Sequence, residues 1–337
     1  MRRLVLLAAV LLVAACEPGM PQTVSTTPRL DAERLDATAA ELTARAAPGR
    51  LGAAVMNLES GELWAINGVD RFPMQSVFKA PLAAAVLAEV DAGRLDLDET
   101  ITLTDEDISP PFSPVADAYP SRRDYTVAEL LTLSAGASDN TAADVLMRRI
   151  GGPGAVTAWL RAQDIRDMRI DRYERQLQPE IAGLDSFRLA WKGEAAYRAA
   201  LQDVPAAERQ AAAEAYLADP RDTTTPREAL LFLAKLARGE LLSEASTARL
   251  LKIMSETTTG RGRLAAGLPP GARLAHKTGT ARTDLGATPA INDIGLITLE
   301  DGRQYVIAVF LAGSPLPEAE REAIFADLAR SVAGAVG

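Results

Sequence analysis

The chain has 337 residues, 36 of them Lys or Arg and 45 Asp or Glu, for a net charge of −9. That acidity argues against nucleic acid as a partner, and the length suits one large domain or two intimate lobes. One cysteine and one histidine exclude an internal disulfide and the nitrogen and sulfur ligand sets that zinc prefers, so no metal or other cofactor is expected.

The N-terminus reads as an export signal. Met1-Arg2-Arg3 is a short basic start, residues 4–13 are apolar, and Ala14-Ala15-Cys16 is a small-residue cleavage site, so that residues 1–15 would be removed. The apolar run falls short of the roughly 20 residues that cross a bilayer core, and no later segment approaches that length. Val13-Ala14-Ala15-Cys16 is similar to a bacterial lipobox, which implies a lipidated Cys16 and a membrane anchor. Residues 16–27, rich in Pro, Thr and Ser, would then be a tether. The alternative is a plain signal-peptidase cut beside a small residue.

A helical pattern starts near Pro28 and runs through Leu35, Leu42 and Ala46. Residues 51–57 and 62–67 read as a hairpin about the turn Glu59-Ser60-Gly61. Residues 78–92 are apolar at helical spacing and stop near Gly93, which puts Ser76 just before or in the first turn of a buried helix. Residues 94–125 read as loop and short turns, and helical patterns resume over 127–134, 140–150 and 153–162. Residues 179–218, with Trp191, Tyr197 and Tyr216 among alanines and charges, read as an insertion containing a helix over 206–217. Gly302 separates strand patterns over 293–299 and 304–312, and an amphipathic helix over 318–336 closes the chain. The order implies an α/β lobe from both chain ends (28–75 and 223–337), with an antiparallel sheet flanked by terminal helices. An all-helical lobe (76–222) is inserted into it.

Nucleophilic catalysis needs a hydroxyl beside a base, and His276 is the only histidine, so a different base is expected. Ser76-Val77-Phe78-Lys79 offers one, because residues three apart share a helix face and Lys79 then aims its amine at the Ser76 hydroxyl. Alone, the pair could be a solvated surface accident. Its apolar setting argues otherwise, since a buried lysine tends to lose its proton. Ser138-Asp139-Asn140 follows in a small-residue loop before a helix, and Lys277-Thr278-Gly279-Thr280 lies on an apolar segment suited to an edge strand. Individually these read as a helix cap and a turn.

Together and in this order, the three motifs resemble those of the penicillin-recognising serine enzymes. Asp171-Arg172-Tyr173-Glu174-Arg175-Gln176-Leu177-Gln178 is similar to the omega-loop signature of class A serine β-lactamases, with Gln178 where the family normally has asparagine. His276 and Asn292-Asp293 look like the subgroup containing the PER extended-spectrum enzymes, and His276 itself receives no role. The resemblance covers roughly residues 30–335. It implies the two-lobed α/β fold of serine β-lactamases and transpeptidases, and an omega loop closed by an arginine–aspartate pair with Asp222 as the acid, across the 179–218 insertion.

The resemblance also implies roles. Ser76 is the acylated nucleophile, Lys79 or Glu174 its base, and Ser138 the proton donor to the leaving nitrogen. Glu174 activates the deacylating water, whose placement also depends on Gln178. Lys277, Thr278, Gly279, Thr280 and Arg263 meet the substrate carboxylate, Asn140 holds the side-chain amide, and Phe112 walls the entrance. The expected protein is a monomeric β-lactam hydrolase of the periplasm, conferring antibiotic resistance and acting on a small-molecule β-lactam. The alternatives are a D-alanyl-D-alanine carboxypeptidase, which Glu174 disfavours, and a slowly deacylating β-lactam-binding envelope lipoprotein, which Gln178 and the insertion favour.

Overall fold

The computed structural model describes residues 29–334. The export signal, Cys16 and the tether lie outside the described residues. A five-stranded antiparallel sheet is built from β1 (Arg50–Asn57), β2 (Leu63–Ile66), β3 (Arg273–Thr280), β4 (Thr288–Thr298) and β5 (Gln304–Ser314), in the order β2-β1-β5-β4-β3. Both expected hairpins are present. β1 and β2 pair from Ala53↔Ile66 to Met56↔Leu63, and β4 and β5 pair through the turn at Gly302, with Thr298 opposite Gln304. β5 is central, and its two faces feed different cores. Tyr305, Ile307, Val309 and Leu311 meet α1 (Ala32–Ala46) and α10 (Glu318–Gly334), while Val306, Ala308 and Phe310 join the core of the helical lobe. A strand covered on both faces must be apolar at consecutive positions, which is why 305–312 reads as an unbroken run.

Asp31 caps α1 by accepting from the Arg34 N–H at 3.0 Å, so the helix begins a few residues after Pro28, where its pattern first appears. α2 (Lys79–Asp91) is buried on every side from Lys79 to Leu87 and forms the axis of the helical lobe. Around it lie α3 (Asn140–Arg149), α4 (Pro153–Ala162) and α5 (Glu174–Glu180). The stretch 94–125 is more ordered than a loop: Thr100–Thr102 pairs antiparallel with Asp124–Thr126, and Pro114–Ala118 is a short helix capped by the Ser113 hydroxyl. Strands of three residues are too short to show a period.

Two helices occupy the stretch read as an insertion, α6 (Glu194–Gln202) and α7 (Ala206–Ala218), where the sequence pattern marks only the second. The inward face of α6 is just Tyr197, Ala200 and Leu201, a stripe easily lost among its alanines and charges. Phe187, Trp191 and Tyr197 form an edge-to-face aromatic group that fastens the segment to the helical core. α8 (Pro226–Ala237) and α9 (Glu244–Ser255), neither among the elements read from the sequence, add Leu230, Phe232, Leu233, Leu250 and Met254 to that core.

Candidate active site

The site forms where the start of α2 meets edge strand β3, the loop before α3 and the first turn of α5. Gln75–Phe78 is a single 3₁₀ turn leading into α2, and Ser76 lies on it half-buried. This turn touches β3 closely. A Cβ on Gly279 would lie 2.4 Å from the Met74 carbonyl oxygen and 3.2 Å from the Ser76 nitrogen, so only glycine lets strand and turn approach. The Asn292 amide, one strand further in, donates to the carbonyls of Pro73 and Met74 at 2.8 and 2.9 Å and holds the turn from below.

Lys79 is fully buried. Its Nζ donates to Ser76 Oγ at 3.1 Å, the Ser138 carbonyl at 2.8 Å and Asn140 Oδ1 at 2.5 Å, and it lies 3.0 Å from Glu174 Oε1. Ser138 adopts φ 64°, an uncommon left-handed backbone for a residue with a side chain. Its carbonyl meets Lys79 while its hydroxyl accepts from Lys277 Nζ at 2.9 Å. Burial, with the Lys79 ammonium second, holds Lys277 well below the ordinary lysine range. Asp139 caps α3 through Ala142 N at 2.8 Å and binds Val115 N and the Ser113 hydroxyl, so the middle of this tripeptide is structural.

Glu174 is also fully buried, at the first position of α5. Gln178, one turn on, donates from Nε2 to Glu174 Oε2 at 2.8 Å and to Gln75 Oε1 at 3.0 Å. The start of α5 is pinned by Asp144, a residue the motifs do not mark. Its carboxylate accepts from the backbone N–H groups of Glu174 and Arg175 at 2.7 and 3.0 Å and from the Ser109 hydroxyl at 2.6 Å. Burial, and then the charge of Glu174, push its pKa up to about 6. A buried aspartate on α3 is invisible as a functional residue until the fold brings α5 over it.

Arg172 meets Asp222 at 2.6 Å, as the loop signature implies, although α6 and α7 intervene. Arg172 also contacts Glu180 at 2.6 Å and Asp219 at 3.3 Å. Burial pushes the Asp222 carboxyl up, and the Arg172 cation with the backbone N–H groups of Asp171 and Arg172 offsets part of that. Arg263 packs against the end of β3. It is 5% exposed and donates to the Thr280 hydroxyl at 2.7 Å and to the carbonyls of Gly279 and Asn292. Thr278 is buried with its hydroxyl 2.7 Å from that of Thr259, and Thr280 is exposed. Phe112 is 60% exposed, and its carbonyl accepts from Asn140 N. His276 pairs with Asp293 at 2.8 Å between β3 and β4, in keeping with a structural residue. A cavity of about 630 Å³ adjoins this centre, lined by Phe112, Gln178 and Thr280 on one side and by α6, α7 and residues 281–289 on the other.

The Ser76 hydroxyl thus meets a buried lysine that also meets a buried carboxylate, and a second lysine holds a second serine nearby, a set able to move protons to and from an attacking oxygen without histidine. Among the described residues no group of His, Cys, Asp and Glu side chains could hold a metal ion. Fold and site together fit a serine acyltransferase or hydrolase. The chain belongs to the β-lactamase enzyme family, whose profile matches residues 34–336, and within it to the class A serine enzymes. It is similar to the β-lactamase VEB-1 of Pseudomonas aeruginosa, 32% identical over 287 residues covering 85% of each chain. It is also similar to the extended-spectrum β-lactamase PER-1 of the same organism, 34% identical over 83% of this chain and 80% of that one. Among solved structures, a β-lactamase from Chitinophaga pinensis superposes with a TM-score of 0.73 at 35% identity, covering 89% of this chain and 99% of the other. The last common ancestor of Gram-negative class A β-lactamases gives 0.72 at 36%, covering 90% and 99%. These likenesses agree with the PER-like reading and do not favour a carboxypeptidase or a non-hydrolytic binder.

Proposed function

We propose that this protein hydrolyses β-lactam antibiotics through an acyl-enzyme on Ser76 and so confers resistance to them. The observation that carries the reading is Lys79 Nζ, 3.1 Å from the half-buried Ser76 Oγ and 3.0 Å from the buried Glu174 Oε1. The substrate carboxylate docks against Lys277, Thr278 and Thr280, with Gly279 leaving the room and Arg263 acting through the Thr280 hydroxyl it binds. Ser76 attacks the lactam carbonyl and its proton leaves through Lys79 or Glu174. The backbone N–H groups of Ser76 and Thr280 receive the oxyanion, each worth a few kcal/mol. The β-lactam C–N bond breaks as Ser138, held by Lys277, gives its hydroxyl proton to the nitrogen and takes up in its place the proton removed from Ser76. Glu174 and Gln178 then hold a water, Glu174 takes its proton as the oxygen attacks the ester carbonyl, and the proton passes through Lys79 to Ser76 Oγ as that bond breaks. Asn140 holds the substrate amide and Lys79, and Phe112 walls the entrance.

Turnover of a chromogenic cephalosporin by purified protein, absent in Ser76→Ala, is the expected result. A covalent adduct that persists without turnover would refute hydrolysis. Glu174→Gln should keep acylation and slow deacylation by about 10²–10⁴-fold, read as accumulated ester by intact-protein mass spectrometry.

We further propose export to the periplasm and anchoring through a lipidated Cys16, on the strength of Val13-Ala14-Ala15-Cys16. Among the described residues no helix is long and apolar enough to cross a membrane. Cys16→Ser should release the protein from the membrane fraction; a variant that stays bound would overturn the anchor.

A further inference from the structure

One side chain of the insertion reaches the turn that carries Ser76. Tyr216 is the single buried residue of α7, and its Oη accepts from Gln75 Nε2 at 2.5 Å. Gln75 is 1% exposed, adopts φ 47°, and is the residue before Ser76. Its other amide atom, Oε1, accepts from Gln178 Nε2, which donates also to Glu174 Oε2. The polarity of this chain has only one solution. An ionised Glu174 can only accept, so Gln178 must turn its NH₂ toward it, and the second hydrogen of that NH₂ requires an acceptor from Gln75. Gln75 must therefore point Oε1 at Gln178 and Nε2 at Tyr216, which has to accept. Burial keeps the Tyr216 phenol well above its ordinary range, so the hydroxyl remains a neutral group whose oxygen can do so.

We propose that Tyr216 is a positioning residue for deacylation: it fixes the Gln75 amide, through which Gln178 holds Glu174 Oε2 while Oε1 faces Lys79. The inserted segment thereby sets how fast Ser76 is released from its ester. This accounts for Gln178 itself, whose side chain is one methylene longer than asparagine and reaches both Glu174 and Gln75 with a single nitrogen. It rests on the reading of Glu174 as the base that clears the acyl-enzyme.

Tyr216→Phe keeps the ring and removes the acceptor, leaving Gln75 Nε2 buried without a partner or letting the amide rotate, so that Gln178 meets a donor. The chain ends on Glu174 and meets neither the Ser76 hydroxyl nor Lys79 directly, so kcat/KM falls by less than the ester lifetime lengthens. The ester lifetime, followed by intact-protein mass spectrometry after mixing with a slowly hydrolysed cephalosporin, lengthens about tenfold. Where deacylation limits turnover, kcat falls by that factor and KM falls with it. Gln75→Leu lengthens the lifetime comparably, and Tyr216→Phe added to it has no further effect, because both cut one chain. Glu208→Gln, exposed on the same helix, leaves the lifetime unchanged. A purely structural role would lower the fraction of titratable Ser76 and the melting temperature with the lifetime intact, and that result overturns the proposal. A wild-type ester that never decays refutes hydrolysis and the inference together. Wild-type turnover with equal lifetimes in Tyr216→Phe refutes the inference alone.

Discussion

Replacing Arg172 by methionine tests how the long omega loop is held. Methionine preserves most of the volume of this 6%-exposed side chain and removes its contacts with Asp222, Glu180 and Asp219. Breaking a buried ion pair costs about 3–5 kcal/mol, because one charge is left without its partner. Asp222 retains the backbone N–H groups of Asp171 and Arg172, and Glu180 is a third exposed, which puts the loss near the lower end, about 3 kcal/mol. Unfolding entropy of roughly 2 cal/mol/K per residue over residues 29–334 amounts to about 0.6 kcal/mol/K, so Tm should drop by about 5 °C at pH 7. The pH dependence has a definite sign. Without Arg172 the folded pKa of Asp222 rises further above its unfolded value. The variant therefore loses stability relative to wild type as pH rises through the folded pKa values of Asp222, which lie above its ordinary value, and the deficit shrinks on acidification. Arg166→Met breaks a pair whose side chains are 76% and 72% exposed and should move Tm by no more than about 1 °C. Thermal melts of the three proteins from pH 4 to 7 decide the matter. A drop for Arg172→Met no larger than the Arg166 control, or a deficit that grows toward pH 4, would refute the reasoning.

Asp144, with its pKa at about 6 in the fold, takes up its proton more readily there than when unfolded. Wild type should therefore lose roughly 2–3 kcal/mol relative to Asp144→Asn as pH rises from about 4 to about 6, in paired urea titrations. A flat difference across that window would count against the raised pKa. Gly279→Ala drives a Cβ into the Met74 carbonyl at 2.4 Å and should cost about 1–3 kcal/mol and most of the acylation rate. Gly154→Ala in α4, whose Cβ meets nothing within 4 Å, should be neutral or stabilising by up to about 1 kcal/mol. Equal effects of the two on melting and acylation would refute the steric role of Gly279.

Much of the frame is legible along the chain because it rests on local periodicity. The β1–β2 and β4–β5 hairpins carry turn signals, and α2 is apolar enough to show as a buried helix. The Ser76–Lys79 contact follows from one helical turn, and three further motifs stand as short strings. What escapes notice depends on weak or borrowed signals. α6 buries only three residues, and the strands at Thr100–Thr102 and Asp124–Thr126 are too short for a period. Arg263 reads as a carboxylate ligand by position, and only the fold shows its guanidinium bound to the Thr280 hydroxyl at 2.7 Å.

The residue types are therefore set by the sequence itself: a serine and lysine one turn apart, a glutamate in a loop signature, and a single histidine. Their encounter belongs to the tertiary structure. Lys79 meets Ser138 across 59 positions, Lys277 meets the same serine across 139, and Tyr216 reaches Gln75 across 141. No period or spacing encodes such distances. They arise because burial of α2, the close approach that Gly279 permits and the Arg172–Asp222 clasp bring remote segments against one turn, where each buried polar atom must find its partner.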